Sequence, residues 1–168
     1  DIAEDIKEQK CILLVGPEIL QFEGKSLIRH IYEEALKESK EEVLYYYAQD
    51  ALFFFRDEDA KINFPRRIKR LYKNLQYSGE VYRKILEIPF HLVISLNPDT
   101  YLSDAAGGDR YGVPHHFRFF RFNGEASEEV PEASQNSPLF YNLCGSVHED
   151  ESLILDYEDL FQLLRVAL

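Results

Sequence analysis

Cysteine is scarce in this sequence. Cys11 and Cys144 are the only two, too few for a disulfide framework and in keeping with a reducing compartment. No apolar run approaches the roughly 18 residues of a membrane span, and no signal peptide is visible. A cytoplasmic protein with no membrane partner is the expectation. Positive charge is also short: 19 Lys and Arg stand against 30 Asp and Glu, a net charge of −11. That balance excludes a general binder of nucleic acid, because phosphate backbones need a positive field. There is no Walker loop, no nucleophile elbow and no Cys/His cluster with metal spacing. His115 and His116 are adjacent, so on a strand they face opposite ways and no metal site is expected. Methionine is absent, the sequence opens on Asp1 and it closes on Arg165-Val-Ala-Leu168 within an apparent helix. The expectation is a segment of a longer protein.

What is present suits a folded domain. At 168 residues, 45% hydrophobic and 14% aromatic, the chain is long enough to bury one substantial core. Its central stretch is PFHLVISLNPDTYLSDA, residues 89–105. His91-Leu-Val-Ile-Ser95 is too short and too aliphatic for a helix and reads as a strand buried on both faces. Pro98 lacks an amide proton and biases Asn97 away from helical geometry, which ends the strand. Asp99 or Thr100 then caps a helix through Tyr101, Leu102 and Ala105. A strand, a polar turn and a helix in that order place Asn97 and Asp99 at the carboxyl end of a parallel sheet, where open α/β folds bind ligands.

Taken in order, Cys11-Ile-Leu-Leu-Val15 reads as the first buried strand, ending in Gly16-Pro17-Glu18, where a doubly wound fold would meet the phosphates of a dinucleotide. Ser26 caps a helix whose apolar stripe is Leu27, Ile28, Ile31, Tyr32 and Ala35. Residues 41–55 are expected to form a second helix, with aromatics on more than one side. Phe64-Pro65 is expected to start a third, since proline suits a first turn. Its Arg66, Arg67, Lys69, Arg70 and Lys73 put five positive charges into eight residues. They read either as a solvated face balanced by nearby acids or as a site for phosphates or an acidic partner. Gly79 opens a fourth helix through Leu86.

Beyond the central helix, Gly107-Gly108 and Gly112-Val-Pro114 make an irregular connection. Phe117-Arg-Phe-Phe-Arg-Phe122 reads as a strand, and residues 123–137 as an acidic loop expected to be mobile. Leu139-Phe-Tyr-Asn-Leu143 reads as another strand, ending in Cys144-Gly145-Ser146, with His148 just beyond. Leu153-Ile-Leu155 is expected as a further short strand, and Asp156 caps a last helix with Tyr157, Leu160, Phe161 and Leu164 on one side. This order favours a three-layer, Rossmann-like α/β fold with a mostly parallel central sheet and extra helices after the first strand, as a single domain over residues 1–168. The turns at 16–18, 97–99 and 144–146 all follow strands, so they are expected to meet at one sheet edge.

Three of these segments carry a family resemblance. Ile94-Ser-Leu-Asn-Pro-Asp99 resembles the Thr-x-Asn-x-Asp element of sirtuin-like (silent information regulator type) domains. Leu143-Cys-Gly-Ser146, Leu153-Ile-Leu155 and the Tyr157 helix look like that family's Leu-His-Gly-Ser segment, closing strand and Asp-Tyr helix. Leu13-Leu-Val-Gly16 sits where the family has its glycine-rich phosphate loop.

The resemblance implies an NAD-binding Rossmann-like fold. In bacterial members it implies cleavage of the nicotinamide–ribose bond, often in phage-defence proteins. Asn97 would lie near the nicotinamide ribose, with Asp99 supporting the turn, and Gly16, Pro17, Glu18, Gly145 and Ser146 would complete the cofactor site. The family's catalytic histidine is replaced by Cys144, an ordinary thiol being a poor base at neutral pH. His148 is the nearest substitute. Glu18 would repel a pyrophosphate. These departures favour a diverged nucleotide-binding or regulatory module with weak or no catalysis. The alternatives are an active NAD glycohydrolase using Asn97 with Cys144 or His148, and a protein-interaction scaffold; homo-oligomerisation stays open. The zinc-binding cysteine quartet of protein-deacylating sirtuins is missing.

Overall fold

In the computed structural model, residues 1–75, 77, 79–108, 112, 114–122 and 130–167 are described. Part of the expected irregular connection (109–111 and 113) and part of the expected acidic loop (123–129) lie outside the described residues. The elements run α1 (Ile2–Lys7), β1 (Leu13–Val15), β2 (Gln21–Phe22), β3 (Lys25–Ser26), α2 (Leu27–Lys37), β4 (Val43–Tyr47), β5 (Leu52–Phe55), α3 (Glu58–Asn74) and α4 (Glu80–Ile85). They continue as β6 (Leu92–Ser95), α5 (Tyr101–Gly107), β7 (His116–Phe119), β8 (Leu139–Asn142) and α6 (Tyr157–Ala167), with short 3₁₀ turns at Pro17–Ile19 and Asp150–Ser152.

The central sheet has four strands in the order β1-β6-β8-β7, all parallel. Parallel strands need crossovers, and helices lie in those from β1 to β6 and from β6 to β7, so the sheet is flanked by helices in a Rossmann-like α/β arrangement. Its register aligns Val15 with Ser95, Ser95 with Asn142 and Asn142 with Phe119. The carboxyl ends of all four strands therefore lie in one row, and the turns at Gly16, Asn97 and Cys144 leave from the same edge. Side chains alternate across a strand. One sheet face thus turns Val15, Val93 and Phe140 into the main core, which includes Leu27, Ile31 and Phe64. A smaller apolar cluster of Leu52, Phe120, Ile154 and Leu163 lies beneath α6.

Three expected elements differ. Residues 41–55 form an antiparallel hairpin, β4–β5, in place of a helix, pairing Tyr45 with Phe54, Tyr46 with Phe53 and Tyr47 with Leu52. The physical reason is the aromatic content, which suits a pleated surface better than a helix. Aromatics on both sides reflect period-2 alternation: Phe53 and Phe55 are buried while Tyr45 and Phe54 stay exposed. Tyr46 stacks on Phe53 across the pair at 4.8 Å. Helix α3 starts at Glu58, seven residues before Pro65, because Asp57 caps it by accepting from the Ala60 amide at 2.8 Å. Pro65 sits buried inside that helix. Leu153–Leu155 is buried extended chain with no place in a sheet. Leu155 accepts a single backbone bond from Phe53 at 2.8 Å, which fastens the hairpin.

The basic face of α3 is largely neutralised by acids far away in sequence. Arg67 forks onto Glu42, Arg70 pairs with Glu38, and Arg66 and Lys69 approach Asp150 at 3.9 and 3.6 Å. Among the described residues, no helix is long and apolar enough to cross a membrane.

Candidate functional site

The turn after β6 is the hub of the strand-end row. Ser95 is its first anchor, its hydroxyl accepting the Asn97 amide at 3.1 Å. Asn97 is 1% exposed, and its side-chain amide donates to the Gly16 carbonyl at 3.1 Å, tying the ends of β1 and β6 together. The Tyr82 phenol of α4 lies against Asn97 and Ser95. Asn142 at the end of β8 donates to the Asp99 carbonyl at 2.7 Å, and the Val147 amide donates to the Pro98 carbonyl at 2.9 Å. The turns expected to meet thus do so, and hydrogen bonds lock them together.

Several of the sequence-identified residues are spent on this lock. Gly16 has ordinary extended backbone, φ −82° and ψ 169°, and a Cβ there would meet no atom within 4 Å. Its conformation therefore asks nothing of glycine. Pro17 and Glu18 open the 3₁₀ turn, with Glu18 exposed. Gly145 is held at φ +81°, where a Cβ would lie 2.0 Å from the Ser152 carbonyl oxygen. Ser146 is fully buried, and its amide donates to the Ser152 hydroxyl at 2.9 Å. Cys144 packs beside the small cluster under α6, and burial pushes its thiol up to about 11, so at neutral pH it is protonated.

Asp99 behaves differently. It is 5% exposed, and one carboxylate oxygen accepts the Tyr101 amide at 3.0 Å, capping α5 as expected. The other oxygen has no hydrogen-bond partner. Burial pushes this carboxyl up to about 7, the Tyr101 amide opposing, with Asp104 adding repulsion. It lines a cleft of about 440 Å³ between α3, the 98–101 turn and the Val147–His148 segment, walled by Lys69, Tyr72, Lys73, Thr100, Tyr101 and His148.

The hydroxyls of Tyr72 and Tyr101 are likewise buried without partners. Burial, with the Asp99 charge second, raises both phenols above their ordinary value. Thr100 donates its single hydroxyl proton to Asp104 at 2.9 Å. His148 Nε2 lies 3.3 Å from the same oxygen. No protein-family model matches the chain, and no curated protein matches it either.

Of the sequence candidates, Asp99 and His148 share this cleft. Gly16, Asn97 and Ser146 form the lock beside it, and Cys144 is half-buried against the small cluster under α6. Sequence reasoning did not single out Tyr72 and Tyr101, which read as apolar stripe residues. Lys69 and Lys73 were visible as part of the basic run, one helical turn apart and so on one face of α3. A second cleft, about 470 Å³, runs between α3 and α6. Of its two lining cations, Lys61 is held by Asp156 and Asp159 at 2.6 and 2.7 Å, and Arg66 stands 3.9 Å from Asp150.

Proposed function

We propose that this chain is a diverged sirtuin-like domain that binds NAD or a related nucleotide at the carboxyl edge of its sheet, and serves as a cytoplasmic regulatory module with little or no catalysis, in keeping with a phage-defence protein. The observation that carries the reading is the Asp99 cleft. Its lining residues Asp99, Tyr72 and Tyr101 each carry a buried side-chain oxygen without a hydrogen-bond partner, and the concavity lies at the sheet edge where parallel α/β folds hold their ligands. Strongly perturbed carboxyls in clefts are functional candidates on physical grounds.

The fit to NAD is partial. Asp99, Tyr72 and Tyr101 suit a hydroxyl-rich sugar, and Lys69 and Lys73 suit a phosphate. Asn97 and Ser146 are committed to internal bonds, and the exposed Glu18 opposes a second phosphate beside Gly16. Weak catalysis follows from Cys144, whose neutral thiol cannot take a proton from a ribose hydroxyl at neutral pH.

One observation favours the active NAD glycohydrolase as a second reading: the His148 imidazole lines the same cleft as Asp99. Titrating the protein calorimetrically with NAD, then assaying the cell contents for free nicotinamide, separates the two. Heat without nicotinamide supports the regulatory module. Nicotinamide release that is lost in His148→Ala supports the enzyme. A folded sample giving neither heat nor nicotinamide refutes both.

A further inference from the structure

The cleft between α3 and α6 is built from two helical stripes. Glu58, Lys61, Ile62, Pro65 and Arg66 stand at i, i+3, i+4, i+7 and i+8, so one face of α3 makes one wall. On α6 the same spacing joins Glu158, Phe161, Gln162, Arg165 and Val166. The cleft of about 470 Å³ and a neighbouring hollow of about 640 Å³ share Phe122, Glu158 and Gln162, so the two form one continuous groove. Eight residues of helix rise about 12 Å, the length of two turns of a partner helix. Helix α6 already turns Leu163 into the small cluster, and one apolar stripe is what a surface helix ordinarily carries. Phe161 and Val166 are a second set, and with Ile62 on α3 they stay more than half exposed along the groove.

The charges along this groove do not balance. Lys61 is taken by Asp156 and Asp159, and Arg66 stands near Asp150. Among the described residues, the exposed lining acids Glu58, Glu151 and Glu158 have no ion-pair partner, against Arg165 as the one lining cation in that state. A second copy of this chain, at a net charge of −11, would bring more acid to these acids. A purely apolar segment would leave the three carboxylates uncompensated. A segment with Lys or Arg beside an apolar stripe meets both demands. Helices α3 and α6 keep their backbone bonds within themselves, so an occupant gains no strand edge there and has to satisfy its own backbone as a helix. We propose that the α3–α6 groove docks a basic amphipathic helix of a partner protein. Its apolar residues at i, i+3 or i+4 and i+7 lie on Ile62, Phe161 and Val166, and its Lys or Arg residues reach Glu58, Glu151 and Glu158. The groove shares no lining residue with the Asp99 cleft, so the proposal holds whether or not a nucleotide binds there.

The test is selection of a displayed library of random peptides, long enough for about four helical turns, against the whole protein. The enriched peptides should combine Lys or Arg with apolar residues at helical spacing. Fluorescence anisotropy of the most enriched peptide is then measured on wild type, Phe161→Ser and Glu151→Lys. Both positions are exposed, so both variants are expected to fold; circular dichroism checks this. Each substitution should weaken the peptide by about tenfold or more, and wild-type binding should also weaken as salt is raised. A library that yields no binder, enriched peptides that are acidic or uncharged, or binding that neither substitution changes overturns the proposal. Sedimentation of the protein alone covers the other occupant. Self-association of the wild type that is lost in Phe161→Ser would give the groove to a second copy and overturn the proposal as well.

Discussion

Asparagine at position 99 offers the sharpest test of the cleft's electrostatics, independent of any ligand. Asp99 has an ordinary value near 3.8 and is raised to about 7 in the fold, chiefly by burial. Below pH 4 it is protonated in both folded and unfolded chains and costs nothing. Between pH 4 and 7 the unfolded chain ionises while the folded one holds its proton, so stability falls as pH rises. Above 7 the loss is complete and constant. That window is about three pH units wide, and at about 1.4 kcal/mol per unit the loss is of order 4 kcal/mol.

Asp99→Asn removes this titration and keeps the oxygen that accepts the Tyr101 amide. Its new amide has to find a partner among Tyr72 and Tyr101, at a cost of about 1–3 kcal/mol if it does not. Urea unfolding of both proteins from pH 4.5 to 8.5 measures the difference. The variant's stability should rise relative to wild type by several kcal/mol across that range, then level off. Every other titrating group is common to both proteins and cancels. A difference that stays flat with pH would refute the claim that Asp99 is a buried carboxyl without a compensating partner.

Further outcomes follow from the lock beside the cleft. Gly145→Ala should cost more than about 3 kcal/mol, seen as a lowered urea midpoint or loss of soluble protein. The left-handed backbone is strained for alanine, and its methyl would strike the Ser152 backbone, which cannot swing aside. Asn97→Ala should cost about 2–3 kcal/mol in the same assay, because it strands the Gly16 carbonyl and opens space beside Tyr82. Any loss of ligand binding in that variant is therefore read against its stability. Cys144 should resist iodoacetamide at pH 7.5, and its labelling in a Cys11→Ser variant should accelerate only as pH climbs past 9.

The basic helix shows how a single stretch can be read correctly and still leave its role open. Five cations in residues 66–73 read equally as a solvated face or a phosphate site. The fold divides them: Arg66, Arg67, Lys69 and Arg70 approach acids on other elements, while Lys69 and Lys73 line the cleft. Residues 41–55 show the opposite failure. Both strands of the hairpin are five residues or fewer, too short for local periodicity to separate strand from helix, and the aromatic enrichment was the cue that favoured strands.

What local sequence did determine is the frame. Short apolar runs at 11–15, 91–95 and 139–143, each followed by Gly, Pro or Asn, supply neighbouring strands of one parallel sheet whose ends share one edge, although the first lies at the sheet's margin and leaves Leu14 exposed. Asp99 and His148 were legible because they follow those runs directly. The tertiary structure alone decided which of the edge residues are free to meet a ligand. Asn97 and Ser146 look as available as Asp99 in the sequence, yet hydrogen bonds to Gly16 and Ser152 consume them. The partners that give Asp99 its setting, Tyr72 and Lys73, lie more than twenty residues away on α3. Burial and hydrogen-bond satisfaction are sums over whatever packs nearby, and only folding determines what that is.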